Sequence, residues 1–140
     1  MRNTPKFSTP SLIVVPQIGS SRLGYISVAE AGSQVPFEIR RVYWTYYTPN
    51  DVQRGGHAHR ELEQLIFAVA GTITFNVIDR FGDQQTIVLD KPEVGLYIPP
   101  LTWRDIRFSH NAVLLCLASE VYTVDDYIRT IDEFRVLISG

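Results

Sequence analysis

Arg54-Gly55-Gly56-His57-Ala58-His59-Arg60-Glu61-Leu62-Glu63-Gln64 runs directly into the apolar stretch Leu65-Ile66-Phe67-Ala68-Val69-Ala70, which Gly71 ends. An apolar run bounded by glycines reads as a β-strand, and the expected strand spans residues 57–70. Side chains on a strand alternate between its two faces, so His57 and His59 point the same way and can converge on one ligand. A His-x-His pair on its own fits a polar surface pair equally well. What surrounds it decides.

Outward from this stretch, Val-, Ile-, Tyr-, Phe- and Thr-rich runs are separated by Gly, Pro, Asn and Asp clusters, the pattern of an all-β sandwich or barrel. The further expected strands are residues 12–15, 24–30, 37–47, 72–79, 84–89, 94–98, 103–108 and 112–119. Gly71 separates two apolar runs, Arg80-Phe81-Gly82-Asp83 turns a hairpin, and Pro99-Pro100 cannot donate to a central ladder. Only the C-terminal segment reads as helix, with Tyr127, Ile128, Ile131, Phe134, Leu137 and Ile138 at three- and four-residue spacing. Thr123 is its expected cap, with Asp125 and Asp126 near the positive end of the dipole.

The 140 residues are expected to form one domain over 1–140, with residues 1–10 loosely held. Thirteen basic and fifteen acidic residues are spread along the chain for a net charge of −2, which leaves no footprint for nucleic acid or a membrane. The one cysteine, Cys116, sits in an apolar run and excludes an intrachain disulfide. The N-terminal apolar run is too short for a signal peptide or a membrane span, so a soluble cytoplasmic protein is expected.

His57-x-His59-x-x-x-Glu63 followed by Gly71 resembles the first signature of the cupin superfamily, a double-stranded β-helix or jelly-roll barrel in which two His and one Glu often bind a metal. The second signature falls on residues 95–104, and the position of its metal-binding histidine holds Arg104. An arginine has no lone pair for a metal and repels a cation, so no metal and no cofactor are expected. Glu63 then reads as an ordinary strand carboxylate or as part of a weak two-His-one-carboxylate site. Two imidazoles without a metal suit proton transfer near neutral pH. Arg41, Arg54 and Arg104 can hold phosphates, while Tyr43, Tyr97 and Trp103 offer flat faces to a base or sugar, and the set describes a nucleotide-sugar pocket.

A narrower resemblance rests on Arg41-Val42-Tyr43, Arg54-Gly55-x-His57-Ala58-His59, Leu62-Glu63-Gln64, Val94-Gly95-Leu96-Tyr97, Leu117-Ala118-Ser119 and Asp126-Tyr127-Ile128-Arg129, in that order. Across residues 36–138 the chain resembles the TDP-4-keto-6-deoxy-glucose 3,4-ketoisomerases, sugar-nucleotide cupins. That resemblance implies a metal-independent homodimer that isomerises TDP-4-keto-6-deoxy-D-glucose to its 3-keto isomer, on the way to an amino sugar for surface polysaccharide. It maps the catalytic pair onto His57 and His59. We take His59 as the base at carbon and His57 as its partner, an order that spacing alone does not set, and count Glu63 and Gln64 among the substrate contacts. The strand-like N-terminal segment is the expected exchanged element of the dimer. Gly56 departs from the family's bulkier residue and is expected to widen the pocket. Arg104 departs from the histidine of some members. A 3,5-epimerase or dehydratase, a non-catalytic sugar-nucleotide-binding module and a metal-dependent oxygenase are the alternatives.

Overall fold

Alternation of apolar and polar residues builds strands whose inner faces must meet, and in the computed structural model, which describes residues 5–140, they do so between two sheets. In chain order the strands are β1 (Ser11–Val14), β2 (Gln17–Ser20), β3 (Gly24–Ser27), β4 (Arg41–Thr45), β5 (Val52–His59), β6 (Gln64–Ala70), β7 (Ile73–Ile78), β8 (Gln84–Leu89), β9 (Val94–Ile98), β10 (Trp103–Phe108) and β11 (Val113–Ala118). A 3₁₀ turn at Val124–Asp126, the short β12 (Tyr127–Ile128) and the helix α1 (Ile131–Ser139) follow. Among the described residues, two five-stranded antiparallel sheets form, in the orders β1-β9-β6-β11-β4 and β12-β5-β10-β7-β8, and β2-β3 stand apart as a hairpin. This is the jelly-roll barrel with a C-terminal helix that the resemblance implies.

The main core lies between the sheets, where Ile66, Ala68, Phe75, Leu96, Ile98, Phe108 and Cys116 are buried. The alternate residues of β6 and β9 face outward into a second core, in which Leu65, Phe67 and Tyr97 pack against Val15, Val35, Phe37 and Ile39. Gly95 makes this outer face possible: a Cβ there would lie 2.7 Å from the Phe67 ring. A third cluster covers the second sheet, with Ala58, Trp103, Ile128 and Phe134 tying β12 and α1 to β5. The expectation of a loose N-terminus falls partly on residues 1–4, outside the described residues; Phe7 packs edge-on against Tyr97 at 5.5 Å.

Three expectations are corrected. The strand over 57–70 is two strands in different sheets, because the chain crosses between sheets at 60–63, where Leu62 turns into the main core. Residues 37–40 are not strand; Phe37 and Ile39 are recruited into the outer core, and β4 begins at Arg41. The helix begins at Ile131, not after Thr123. Thr130-x-x-Glu133 is the start signal, with the Thr130 hydroxyl accepting from the Glu133 N–H at 3.2 Å, whereas Thr123 makes no side-chain cap. Tyr127 and Ile128 pair with His59 and Ala58 instead of entering a helix.

A bulge sets the register at the histidines. Arg104 pairs with His57 and Asp105 with Gly55, so Gly56 is the extra residue on β5. Gly55 has φ +87° and a Cβ there would sit 2.8 Å from the Arg104 carbonyl oxygen, while at Gly56 (φ +70°) the nearest atom, Asp105 Oδ1, is 3.8 Å away. Gly56→Ala then carries only the cost of a left-handed backbone, and Gly55→Ala adds a backbone clash. We expect Gly56→Ala to lower stability by about 1 kcal/mol and Gly55→Ala by about 3 kcal/mol in urea unfolding; equal losses would mean that the close approach to Arg104 sets nothing.

Candidate active site

Strand alternation aims one set of polar residues into the cavity between the sheets. Arg41 and Tyr43 come from β4, Arg54, His57 and His59 from β5, Gln64 from β6, Arg104 from β10 and Tyr127 from β12. The cavity holds about 250 Å³. That is below the usual size for a whole drug-sized ligand, so it fits one end of a larger molecule whose remainder lies across the mouth.

The two imidazoles meet edge to face with ring centres 4.9 Å apart, as their spacing on one strand predicts. His59 is buried, and its Nδ1 lies 2.9 Å from the Asp126 carboxylate. A carboxylate can only accept, so Nδ1 carries the proton and Nε2 keeps its lone pair. Burial lowers the His59 pKa to about 4; the hydrogen bond to Asp126 opposes the shift, and the Arg104 charge adds to it. His57 is pushed down to about 3, first by burial, then by Arg104 and by its neighbour His59. Both rings are therefore neutral at pH 7. Burial works to raise the Asp126 pKa, but hydrogen bonds from His59 and from the Glu61 and Leu62 N–H groups outweigh it and hold the pKa below the ordinary carboxylate value.

Arg104 is 1% exposed, and its charge is held by Gln64 Oε1 and by the Thr102 carbonyl at 3.1 Å. Burial lowers its pKa to about 10, which still leaves it charged at neutral pH. Gln64 Nε2 donates onward to the Tyr43 hydroxyl at 2.9 Å. Arg41 lies over Tyr43 and Tyr122, 5.5 and 5.8 Å from the ring centres. The Nε atoms of Arg41 and Arg104 are buried without a protein acceptor among the described residues. Such donors suit an oxygen-rich anionic ligand.

Three expected contacts lie elsewhere. Glu63 and Tyr97 share the outer face of the first sheet, where the Tyr97 hydroxyl donates to Glu63 Oε1 at 2.7 Å. Trp103 alternates with Arg104 on β10, so it faces outward and packs on Phe134 at 5.9 Å. Gly56 does not line the cavity, and its role is the bulge, not a wider pocket. In return the structure adds Asp126, Tyr127 and Arg129. Tyr127 lies 4.4 Å from the His59 ring and 5.2 Å from the His57 ring, with Arg129 stacked 4.2 Å from its centre. Asp126 is held in place by the Glu61 N–H at 2.7 Å. The segment Asp126-Tyr127-Ile128-Arg129 stands out in the sequence, but helical spacing disguises it as the start of α1.

The shifted histidines link folding to pH. Unfolded histidine titrates near pH 6.5. Below that pH the unfolded chain takes up protons that folded His59 refuses down to about 4 and folded His57 down to about 3. Their stabilisation is full above about pH 6.5 and is lost progressively as pH falls toward about 3, with the depressed Asp126 adding a further loss below the ordinary carboxylate range. Urea unfolding at a series of pH values is expected to show this decline, and a His57→Asn/His59→Asn double variant to flatten it; an unchanged slope in the variant would refute the assignment.

Comparison with known proteins agrees with this geometry. The family model described as FdtA: WxcM-like, C-terminal, matches residues 8–139. The chain is 38% identical over 117 residues, 83% of its own length and 84% of the relative's, to the TDP-4-oxo-6-deoxy-alpha-D-glucose-3,4-oxoisomerase of Aneurinibacillus thermoaerophilus. A 3,4-ketoisomerase structure from Helicobacter canadensis superposes with TM-score 0.87 at 35% identity, covering 94% of this chain and 98% of that one. A mutant of the 3,4-ketoisomerase QdtA from Thermoanaerobacterium thermosaccharolyticum, solved with TDP-4-keto-6-deoxyglucose, superposes with TM-score 0.87 at 33% identity, covering 95% and 96%. Its fold, its sequence and the family match over nearly its whole length show that this chain belongs to the FdtA family, and its homologues are TDP-sugar 3,4-ketoisomerases.

Proposed function

We propose that this chain is a sugar-nucleotide 3,4-ketoisomerase that converts TDP-4-keto-6-deoxy-D-glucose to the 3-keto isomer by proton transfer. The observation that carries the reading is the His59–Asp126 pair at 2.9 Å, which leaves a neutral His59 with a free Nε2 beside a second neutral imidazole. A protonated histidine could not take up a further proton; a neutral one oriented by a carboxylate is ready to.

The C3 proton of the sugar is acidified by the adjacent C4 ketone. His59 Nε2 takes it, and the C–H electron pair becomes the C3=C4 double bond of an enediolate with its charge on the C4 oxygen. C4 then receives a proton at carbon, its oxygen receives a second, and the C3 hydroxyl gives one up, so that two protons leave and two return, with a ketone at C3 and a hydroxyl at C4. His57, the less buried imidazole, is the partner that exchanges protons on this second half. Arg104 sits where a positive charge favours the enediolate and opposes a metal cation, so the reaction runs without a metal. Arg41 and Arg54 take the pyrophosphate at the cavity mouth, and an exposed aromatic carries the base.

The same reading carries a homodimer and a cytoplasmic location, where nucleotide sugars are made and used. Hairpin β2-β3 exposes Ile18, Leu23, Tyr25 and Ile26, and an isolated hairpin is marginal in water, so a second copy would cover it. Sedimentation is expected to show a dimer; a monomer at working concentration overturns that part.

Purified protein with chelator present is expected to convert TDP-4-keto-6-deoxyglucose to a 3-keto product, identified by NMR. Absence of turnover overturns the reading. His59→Asn is expected to lower kcat by about 10²- to 10⁴-fold with TDP binding retained. Asp126→Asn, which can present a donor to Nδ1 and reverse the tautomer, is expected to lower kcat by about 10²-fold or more.

A further inference from the structure

We propose that the free edge of β8 is a docking surface for β8 of a second copy of this chain, paired antiparallel about Ile87 and separate from any contact made by the hairpin β2-β3. It lies in a part of the molecule that the reaction does not use.

β8 ends one side of the second sheet, and among the described residues no strand continues the sheet beyond it. The direction of its hydrogen bonds follows from the turn that precedes it. The Asp79 N–H donates to the Asp83 carbonyl at 2.9 Å, which makes residues 79 and 83 a hydrogen-bonded pair. Such pairs alternate along an antiparallel ladder, and the register between β7 and β8 carries no shift. Gln85, Ile87 and Leu89 therefore bond to β7, while Gln84, Thr86 and Val88 turn their N–H and C=O groups outward. Those outward groups have no backbone partner among the described residues.

Proteins usually blunt such an edge with charge, proline or a bulge. Gln84-Gln85-Thr86-Ile87-Val88-Leu89 carries none of these, and Val88 is 51% exposed. Outward groups can bond only to outward groups, so a second β8 must set even-numbered residues opposite even-numbered ones. If Thr86 lies opposite its own copy, Asp83 falls opposite the buried Leu89 of the second copy. If Ile87 lies opposite its own copy, Thr86 bonds to Val88 of the second copy and Asp83 falls opposite Lys91. Neither Asp83 nor Lys91 has an ion pair among the described residues. The register centred on Ile87 thus sets opposite charges against each other at both ends of a two-fold contact. At its centre the two Ile87 side chains, each already packed against the main core, meet across the junction.

The test is sedimentation equilibrium of the full chain at concentrations up to about 1 mM, because so small a contact is weak. The weight-average mass is expected to rise above its low-concentration value. Thr86→Pro removes an outward N–H and no bond to β7, and Lys91→Glu sets like charges against Asp83; each is expected to abolish the rise, with the urea-unfolding midpoint of Lys91→Glu unchanged. Asp83→Lys combined with Lys91→Glu restores opposite charges and is expected to restore the rise. A mass that stays flat in the wild-type chain would overturn the inference. So would a rise that persists in Thr86→Pro, which puts the contact on another surface, or a charge exchange that leaves association unaltered in Lys91→Glu or fails to restore it in the combined variant.

Discussion

The burial of the Arg104 charge is the constraint on which the rest of the site depends. A cation removed from water must be met by acceptors, and here Gln64 Oε1 and the Thr102 carbonyl supply them. Its field lowers the basicity of both histidines, in addition to their own burial, and it fixes which way the Gln64 amide faces. One residue thus opposes a second cation, adds to the burial that keeps the imidazoles neutral and fixes the amide order that reaches Tyr43.

The fold supplies what this charge requires. Arg104 sits on the second sheet and Gln64, Tyr43 and Cys116 on the first, so their chain of contacts also fastens the two sheets at the cavity. The bulge at Gly56 lets His57 pair opposite Arg104, and Gly55 admits the Arg104 backbone at a distance that a side chain would block. On the far side, Ile128 and Phe134 are buried against Ala58, and this apolar cluster holds β12 in the position from which Asp126 and Tyr127 reach His59. Packing outside the barrel therefore determines the chemistry inside it.

Two imidazoles close together would normally share a proton near neutral pH. Here burial removes that option, and the carboxylate is placed against only one of them. His59 gains a fixed tautomer, while His57 sits at a less buried position. The asymmetry gives the two imidazoles different surroundings even though the two residues are identical and lie on one strand face.

Strand periodicity was enough to bring His57 and His59 together and to find β8, β9 and β10 to the residue, because alternation and turn chemistry are local properties. The resemblance carried the jelly-roll barrel and the family, while side-chain chemistry singled out Arg41, Tyr43, Arg54 and Arg104, which line the cavity together with Gln64. Local pattern could not show that residues 57–70 change sheets, that Tyr97 and Trp103 fall on the outer faces, or that Tyr127 and Ile128 leave the helix for a two-residue strand. Those outcomes depend on which sheet face meets the cavity and on what packs behind it. The Asp126–His59 contact joins residues 67 positions apart, and only the closing of the barrel by β12 and α1 brings the carboxylate to the imidazole.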